Sequence, residues 1–440
     1  MADGAVGDDG ADPSGATEAS GPATQELLER IYRDEYPRIL AQVARQTGDL
    51  GLAEDAVQDA IGAAIASWGR SGAPANPGAW LTTVARRRAI DALRREGRRS
   101  DLETRSGPLG PEPPEAPELP EARGPIVDDQ LRLMFVTCHP SLTPETRTAL
   151  TLKYVCGLRT NEIARVLLVG DDAVTKRIRR ARRKIRDARI PMRVPAPERL
   201  GERLRSVLEC LYLVFTEGYS ATDGDRLVRV DLCAEAIRLT RLVVDLDPTN
   251  AASSSLLALE LLQDSRSSTR TDDAGRPVLL ADQDRSRWDR DQIDEALDLL
   301  ERARVTTDRS AFAQAYLLQA TIAAEHAVAP TWQLTDWARI AATYDELYEL
   351  TGSPVVGLNR VVATSMAAGP APALAQMDEL TSDDRVVRTH QWHLVRADLL
   401  ERLGESDAAE REYRAALGTA MNDPERAFVE LRLDRGPGAH

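Results

Sequence analysis

Seven prolines within residues 100–125 divide this chain more sharply than any other feature of its sequence. They stand at positions 108, 111, 113, 114, 117, 120 and 125, with acidic residues between them. Proline has no amide hydrogen and a fixed φ, so a stretch this rich in proline cannot form a helix or a central strand. The sequence therefore predicts an extended linker over 100–125, with separately folded units before and after it.

Apolar residues recur at helical spacing on both sides of the linker and do not alternate as in a strand. Before the linker, residues 24–99 contain three helical stretches, which are 26–47, 53–68 and 80–96. After it, residues 126–190 contain four, which are 128–138, 143–155, 160–168 and 173–188. Residues 1–23 hold five acids, no base and no aromatic residue, a composition typical of a disordered acidic tail. We expect an all-α protein that begins with two small helical units.

Residues 191–440 also have helical periodicity, interrupted by short turns. In the clearest unit, 390–423, the residues at tetratricopeptide-like offsets are Ala397, Leu400, Gly404, Ala409, Tyr413, Ala416 and Leu417. Related helices contain Ala236 and Ala296. Ala236 and Ala296 are 60 residues apart, and Ala296 and Ala409 are 113 residues apart. Neither separation is a multiple of the 34-residue tetratricopeptide repeat. Such helix pairs bury their faces against neighbouring pairs, so we expect a degenerate tetratricopeptide-like α-solenoid.

The charge of the chain is unevenly distributed. Its 56 Lys and Arg and 70 Asp and Glu give a net charge of −14, which on its own argues against a nucleic-acid partner. Residues 1–190, however, hold 28 basic and 28 acidic residues, so the whole excess of acid lies in 191–440. An electrically neutral first half that concentrates its arginines in two helices is compatible with DNA binding.

Residues 162–181 have the spacing of a helix-turn-helix motif. Ile163, Ala164 and Leu167 form the apolar side of one helix, and Val174 and Ile178 pack a second helix against it. The apolar stripe of the second helix continues through Ala181, Ile185 and Ala188. We expect Asp171 and Asp172 to cap this second helix and to interact favourably with its dipole.

The opposite face of the second helix is strongly basic. Nine of the fourteen residues from 176 to 189 are basic and one is acidic. Like charges at this density repel one another, so the face favours an anionic partner over the alternative, a merely solvated helix surface. The residues predicted to contact DNA are Thr175, Lys176, Arg177, Arg179, Arg180 and Arg183.

The helix at 80–96 is a second candidate for DNA contact. It begins with Trp80, and residues 86–99 hold seven bases and two acids. An aromatic ring at the head of a basic helix suits stacking on unpaired bases. In the alternative interpretation Trp80 lies in the core beside Trp68, and Arg86 to Arg88 contact phosphates only. Spacing alone does not separate the two.

These features resemble the extracytoplasmic-function sigma factors of bacterial RNA polymerase. The resemblance covers residues 25–190 and rests on three motifs in the family's order: LAEDAVQDA at 52–60, WLTTVARRRAIDALRR at 80–95 and the E-I-A helix-turn-helix. It implies that Asp55, Gln58 and Asp59 dock on core RNA polymerase and that Lys176 to Arg183 read the minus-35 promoter element. It also implies that the 69–78 loop and the following helix melt and read the minus-10 element, through Trp80, Arg86, Arg87, Asp91, Arg94 and Arg95.

Residues 191–440 look like the long extension of one subgroup of this family, which carries tetratricopeptide-like repeats. The matching stretches are 212–219, 232–239, 282–289, 335–337 and 352–360. In that subgroup the extension is thought to replace a separate anti-sigma factor. The charge distribution supports two hypotheses: the acidic extension contacts and masks the basic helices, or it docks on the polymerase and assists initiation.

The sequence contains no motif that indicates an enzyme. It has no nucleophile motif, P-loop or dinucleotide fingerprint. The aspartates of 282–289 do not form an EF-hand, because Arg287 and Ile293 stand where glycine and glutamate are needed. His390 and His393 have no third ligand nearby in the sequence, and the four cysteines are widely spaced. We therefore expect no catalytic residues, no cofactor and no metal.

The sequence also lacks an export signal and any apolar stretch of about 18 residues, which predicts a cytoplasmic protein without a membrane contact. The competing functional hypothesis is a stand-alone helix-turn-helix regulator whose solenoid senses a protein or a small ligand. The stretches 53–68 and 80–96 favour the sigma factor, since a simple regulator needs neither a polymerase-docking surface nor a DNA-melting element.

Overall fold

A computed structural model describes residues 35–104, 129–167, 169–219, 230–272, 276–306, 308–381, 384–419 and 423–435. The predicted acidic tail and most of the predicted linker lie outside these residues. The chain divides into two compact units, one before and one after the boundary at Arg123 and Gly124. The described residues form helices and turns and contain no β-strand, in agreement with the predicted all-α class.

The described residues of the first unit form a three-helix bundle in which each helix contacts the other two. Its helices are α1 Tyr36–Thr47, α2 Leu50–Ser71 and α3 Pro77–Thr104. Gly48 ends α1 with a φ of 69°, a conformation that glycine adopts without strain. The Asp49 carboxylate then accepts a hydrogen bond from the Leu52 N–H (3.0 Å) and begins α2. Asn76 does the same for α3, where its side chain accepts from the Ala79 N–H (3.0 Å).

Helix α3 is longer than its periodicity predicts. It continues through Thr104 and so takes in the first residues of the stretch that we assigned to the linker. The physical reason lies in the position of the prolines, since the first of them is Pro108 and nothing in 100–104 removes a helical hydrogen bond.

The second unit begins with the four short helices predicted after the linker. They are α4 Asp129–Thr137, α5 Pro144–Tyr154, α6 Thr160–Val166 and α7 Asp171–Asp187. Helices α6 and α7 pack against each other, and Ile163, Ala164, Val174 and Ile178 are all buried. The Glu162 side chain accepts from the Arg159 N–H (2.7 Å), which closes the first turn of α6. The helix-turn-helix is thus present as the spacing predicts.

The start and the end of α7 differ from the prediction. Gly170, in an extended conformation, is the residue before the first turn, so Asp171 and Asp172 lie inside that turn and do not cap the helix. Their favourable position relative to the helix dipole is kept. The apolar stripe is buried from Val174 to Ile185, but Ala188 is exposed because the helix has already ended at Asp187.

The C-terminal extension is entirely helical apart from turns and one isolated bridge, in the part of it that is described. Its helices are α8 Pro197–Tyr219, α9 Val230–Leu246, α10 Ala251–Asp264, α11 Arg290–Val305, α12 Ala311–Val328, α13 Trp337–Thr351, α14 Pro354–Ala368, α15 Pro370–Asp378, α16 Asp384–Val387, α17 His390–Arg402, α18 Ser406–Leu417 and α19 Asp423–Arg435. Helices close in sequence pack together, as the solenoid prediction requires.

The unit predicted at 390–423 is a helix pair formed by α17 and α18. Gly404, with a φ of 81°, makes the turn between them. Ala397, Ala409 and Ala416 are buried, and their small side chains let the two helices approach closely. This pair confirms the interpretation of the repeat offsets.

Three of the four cysteines, Cys138, Cys210 and Cys233, are buried, and all four are free thiols. Within the described ranges, none of the helices combines the length and apolar character needed to cross a bilayer.

Candidate nucleic-acid interface

The basic face of α7 is open to solvent. Its exposed residues are Thr175, Lys176, Arg179, Arg180 and Arg183, whereas Arg177 is half-buried. The opposite stripe is buried against α6 and α5, so the helix is held by one side and presents the other. All six residues predicted to contact DNA therefore lie on one short helix, and five of them are accessible to a partner.

A cleft of about 450 Å³ lies between the start of α5 and one side of α7. The residues of α7 that line it include Lys176, Arg177, Arg180 and Lys184, and Thr143 and Thr146 line it at the start of α5. The N–H groups at a helix N-terminus and several cations together form an environment for anions. This cleft was not predicted, because only the fold brings the start of α5 beside α7.

The unit that carries α7 is tied to the extension by an arginine that sequence analysis missed. On α5, Arg147 donates to the carbonyls of Leu142 (3.0 Å) and Pro140 (3.2 Å). These two hydrogen bonds hold the turn that precedes α5. It also donates to the Ser206 hydroxyl of α8 (3.2 Å), and its guanidinium lies 3.7 Å from the Glu209 carboxylate. One side chain thus joins the helix-turn-helix unit to the first helix of the extension.

Further contacts support this junction. Arg203 of α8 donates to the carbonyl of Phe135 in α4. Arg238 of α9 donates to the Gln130 side chain (2.6 Å), which in turn donates to Glu235 (3.3 Å). Burial lowers the pKa of Arg203 from its usual value, because the charged guanidinium is partly removed from water. Nothing in the spacing of these residues indicated the junction.

In the first unit, the residues predicted to read the minus-10 element lie along α3. Arg86, Arg87, Asp91, Arg94 and Arg95 are all exposed. Their neighbours Leu81, Ala85 and Ala89 are buried against the bundle. The helix therefore buries one face and presents a mainly basic one.

The environment of Trp80 agrees in part with each of its two interpretations. Its ring is half-buried and contacts Trp68 of α2 edge-on, with centroids 5.3 Å apart and planes at 62°. The same residue lies in line with Arg87, Asp91 and Arg94, since spacings of 7, 4 and 3 return to one side of a helix. Trp80 thus packs on the bundle at the end of the basic face.

The predicted polymerase-binding residues share the outer face of α2. Asp55, Gln58 and Asp59 are exposed, while Ala56, Val57 and Ala60 between and beside them are buried. The Asp59 carboxylate lies 3.4 Å from the Arg88 guanidinium of α3, an exposed ion pair that links the two helices. The structure places the three residues together on one face of α2, since their spacing is three and four residues.

Two basic helical faces on separate units, one of them part of a helix-turn-helix, are the arrangement expected of a DNA-binding protein. Residues 31–99 match the family described as Sigma-70 region 2, and residues 132–185 match Sigma-70 region 4. Residues 203–304 match a family of unknown function, DUF6596. The chain belongs to the extracytoplasmic-function sigma factors and carries a C-terminal helical extension.

The chain is similar to an uncharacterized protein of Rhizobium meliloti, with 40% identity over 407 residues, which cover 90% of this chain and 93% of that one. It is 29% identical over 161 residues to the ECF RNA polymerase sigma factor SigK of Mycobacterium ulcerans, covering 36% of this chain and 82% of the relative. It is also 29% identical over 189 residues to the probable ECF RNA polymerase sigma factor SigI of Mycobacterium tuberculosis, covering 42% and 60%. No solved structure matches the chain.

Proposed function

We propose that the chain binds core RNA polymerase and directs it to promoters, with α3 at the minus-10 element and α7 at the minus-35 element. The observation that carries the proposal is the open basic face of α7, whose apolar side is fully used in packing. A helix held in this way can enter a major groove without losing its own support.

The chemistry of α7 suits two kinds of contact. Lys176, Arg179 and Arg180 lie near the middle of the exposed face, where a guanidinium or ammonium group can donate to base edges. The cleft at the start of α5 is suited to a backbone phosphate, since Lys184 and the helix N-terminus border it. Phosphate contacts would fix the position of the helix, and the base contacts would give sequence preference.

The first unit supplies the other half of the proposal. The exposed Asp55, Gln58 and Asp59 of α2 offer a polar, acidic surface to core polymerase. Across the ion pair between Asp59 and Arg88, this surface adjoins the basic face of α3. Trp80, already partly exposed, is positioned to stack on a base that leaves the duplex.

The direct test is run-off transcription with core polymerase on a duplex that the protein selects from a random library. We expect initiation from the selected DNA, and loss of initiation with Arg179→Ala and Arg180→Ala combined. The matched control is Arg302→Ala together with Arg309→Ala, two exposed arginines of the extension. A protein that selects DNA but neither co-purifies with polymerase nor initiates would refute the proposal and support the stand-alone regulator.

We further propose that the extension assists initiation by holding the helix-turn-helix unit. The junction at Arg147 uses α4 and α5, and the basic face of α7 is left exposed, which supports assistance over masking. Arg147→Met in the full chain is expected to lower run-off transcription several-fold, whereas Arg199→Met, at an exposed arginine near the start of α8, is expected to have little effect. Increased DNA binding and transcription by Arg147→Met would instead support masking.

A further inference from the structure

The extension contains a cavity that the sigma factor function does not use. It has a volume of about 250 Å³ and lies among α8, α10, α12, α13 and α14. Leu259, Leu262 and Leu347 form part of its apolar wall, and all three are buried. This volume is just below that of most ligand sites, about 300–1,000 Å³, so the cavity suits a small molecule.

Stretches that the sequence analysis singled out, and that no DNA or polymerase contact explains, meet at this cavity. Tyr212 comes from the stretch 212–219, Trp288 from 282–289 and Asn359 from 352–360. The stretch 335–337 lies directly behind the wall, where the Trp337 ring contacts the His326 ring with centroids 5.2 Å apart. Segments far apart in sequence thus build one site.

The polar part of the wall has a single formal charge. Among the described residues that line the cavity, Arg266 is the only one charged at neutral pH, because burial and two nearby arginines lower the pKa of His326 to about 4. Arg266 donates to the Tyr219 hydroxyl, and no carboxylate of the described residues lies within ion-pair distance of it. This positive charge belongs to a domain whose sequence is otherwise rich in acid.

A second arginine adds to the positive potential of this wall. Arg285 contacts the backbone of His326, a residue of the wall, and so brings a second guanidinium close to it. Arg285 donates to the carbonyls of His326 and Ala329, both at 2.7 Å, and so is held by neutral acceptors. Arg266 itself is half-buried and has no anionic partner among the described residues, and an anion entering the cavity would supply one.

The other residues of the wall indicate the shape of an anion that would fit. Trp288 and Tyr344 present aromatic rings, and Gln319, which accepts a hydrogen bond from the Tyr212 hydroxyl (3.1 Å), presents an amide. Aromatic walls favour flat apolar groups through stacking and edge contacts. We propose that this cavity binds a small planar organic anion, with its carboxylate or a similar group on Arg266 and its ring against Trp288 and Tyr344.

The proposed site is close to the junction with the helix-turn-helix unit. Helix α8 carries Tyr212 into the cavity wall and carries Ser206, less than two turns earlier, to Arg147. The binding proposal does not depend on the promoter function, and it is tested by binding alone.

The test uses the full-length chain and 2-naphthoate as the probe, with the neutral 2-naphthamide for comparison. Isothermal titration calorimetry is expected to show one site for 2-naphthoate and at least tenfold weaker binding of the amide, which lacks the charge. Arg266→Met is expected to weaken 2-naphthoate at least tenfold. Ala323→Phe, which fills the cavity from α12, is expected to abolish binding.

The control variant is Arg309→Met, which removes an exposed arginine outside the cavity and is expected to bind like the unmodified chain. Since Arg266 also contacts Tyr219, the fold of each variant is compared by circular dichroism. If Arg266→Met does not fold, the amide comparison and Ala323→Phe still decide. No binding of 2-naphthoate at millimolar concentration, equal binding of the amide, or undiminished binding by Ala323→Phe would each overturn the proposal.

Discussion

Glu260 is a carboxyl group enclosed by the apolar packing of α10. The side chain is fully buried, and neither carboxyl oxygen has a hydrogen-bond partner within the described residues. The Thr240 hydroxyl lies nearby but donates to the Ala236 carbonyl (2.9 Å). Burial therefore raises the pKa of Glu260 well above its usual value.

Replacing Glu260 by an apolar residue is expected to stabilise the protein. Above the pKa of a glutamate in the unfolded chain, the unfolded state ionises while the folded state keeps its proton, so stability is lost as the pH rises. Glu260→Met removes this loss, and we expect the free energy of unfolding at pH 7 to rise by about 1–3 kcal/mol. Urea unfolding at pH 5 and pH 7 measures it, with a larger gain at pH 7.

The control for Glu260→Met is Glu346→Gln, at an exposed glutamate, which is expected to leave stability nearly unchanged. A variant as stable as the unmodified chain at both pH values would show that the carboxyl group is compensated in the folded state.

For His326 we expect stability to depend on pH in the opposite direction. Burial and the charges of Arg266 and Arg285 lower its pKa to about 4. Between pH 4 and the usual value of about 6.5, the unfolded chain binds a proton that the folded chain does not, so stability falls as the pH is lowered. Relative to His326→Gln, the unmodified chain is expected to lose up to about 3 kcal/mol over this window.

Urea unfolding of both chains at several pH values between 4 and 7 checks this expectation. Taking the difference between the two chains cancels the carboxylates that titrate in the same window. A difference that is independent of pH would mean that His326 is as easily protonated in the folded state as in the unfolded one.

At the scale of the helix, α7 combines a buried stripe with an exposed cationic face. Each cation that neutralises a phosphate contributes about −0.9 to the slope of log affinity against log salt concentration for duplex DNA. Removing one such cation should therefore change the salt dependence as well as the affinity.

We expect Arg183→Ala, measured as the complex with core polymerase on promoter DNA, to reduce the steepness of that slope by about 0.9. Fluorescence anisotropy between 50 and 200 mM salt gives the value. Arg302→Ala, an exposed arginine of α11, is the control and should leave the slope unchanged. An unchanged slope for Arg183→Ala would show that this side chain does not contact a phosphate.

At the scale of the whole molecule, the helix-turn-helix unit and the extension are parts of one compact unit. Arg147 contributes hydrogen bonds on both sides of their junction. Hydrogen bonds that involve a charged group contribute about 1.5–3 kcal/mol each. Loss of this side chain should therefore weaken the coupling between the two parts.

Arg147→Met is expected to increase hydrogen exchange in α4, α5 and the first half of α8 together, and to lower the thermal unfolding temperature. Arg199→Met, at an exposed arginine near the start of α8, serves as the matched control. Protection that remains unchanged in α8 while α5 opens would show that the junction does not transmit stability.

The sequence by itself determined the local structure of this protein. The stripe from Val174 to Ile185 was predicted correctly, because helical periodicity assigns a side chain to a face without reference to any other part of the chain.

Only the tertiary structure decided which faces meet. Spacing could not tell whether Trp80 is free or in contact with Trp68, nor indicate that Arg147 reaches Ser206, nor that Arg266 and Trp288 share a cavity wall. Each of these cases brings together residues from different parts of the chain. Their distance is set by the packing of whole apolar surfaces, a property that no local pattern of residues contains.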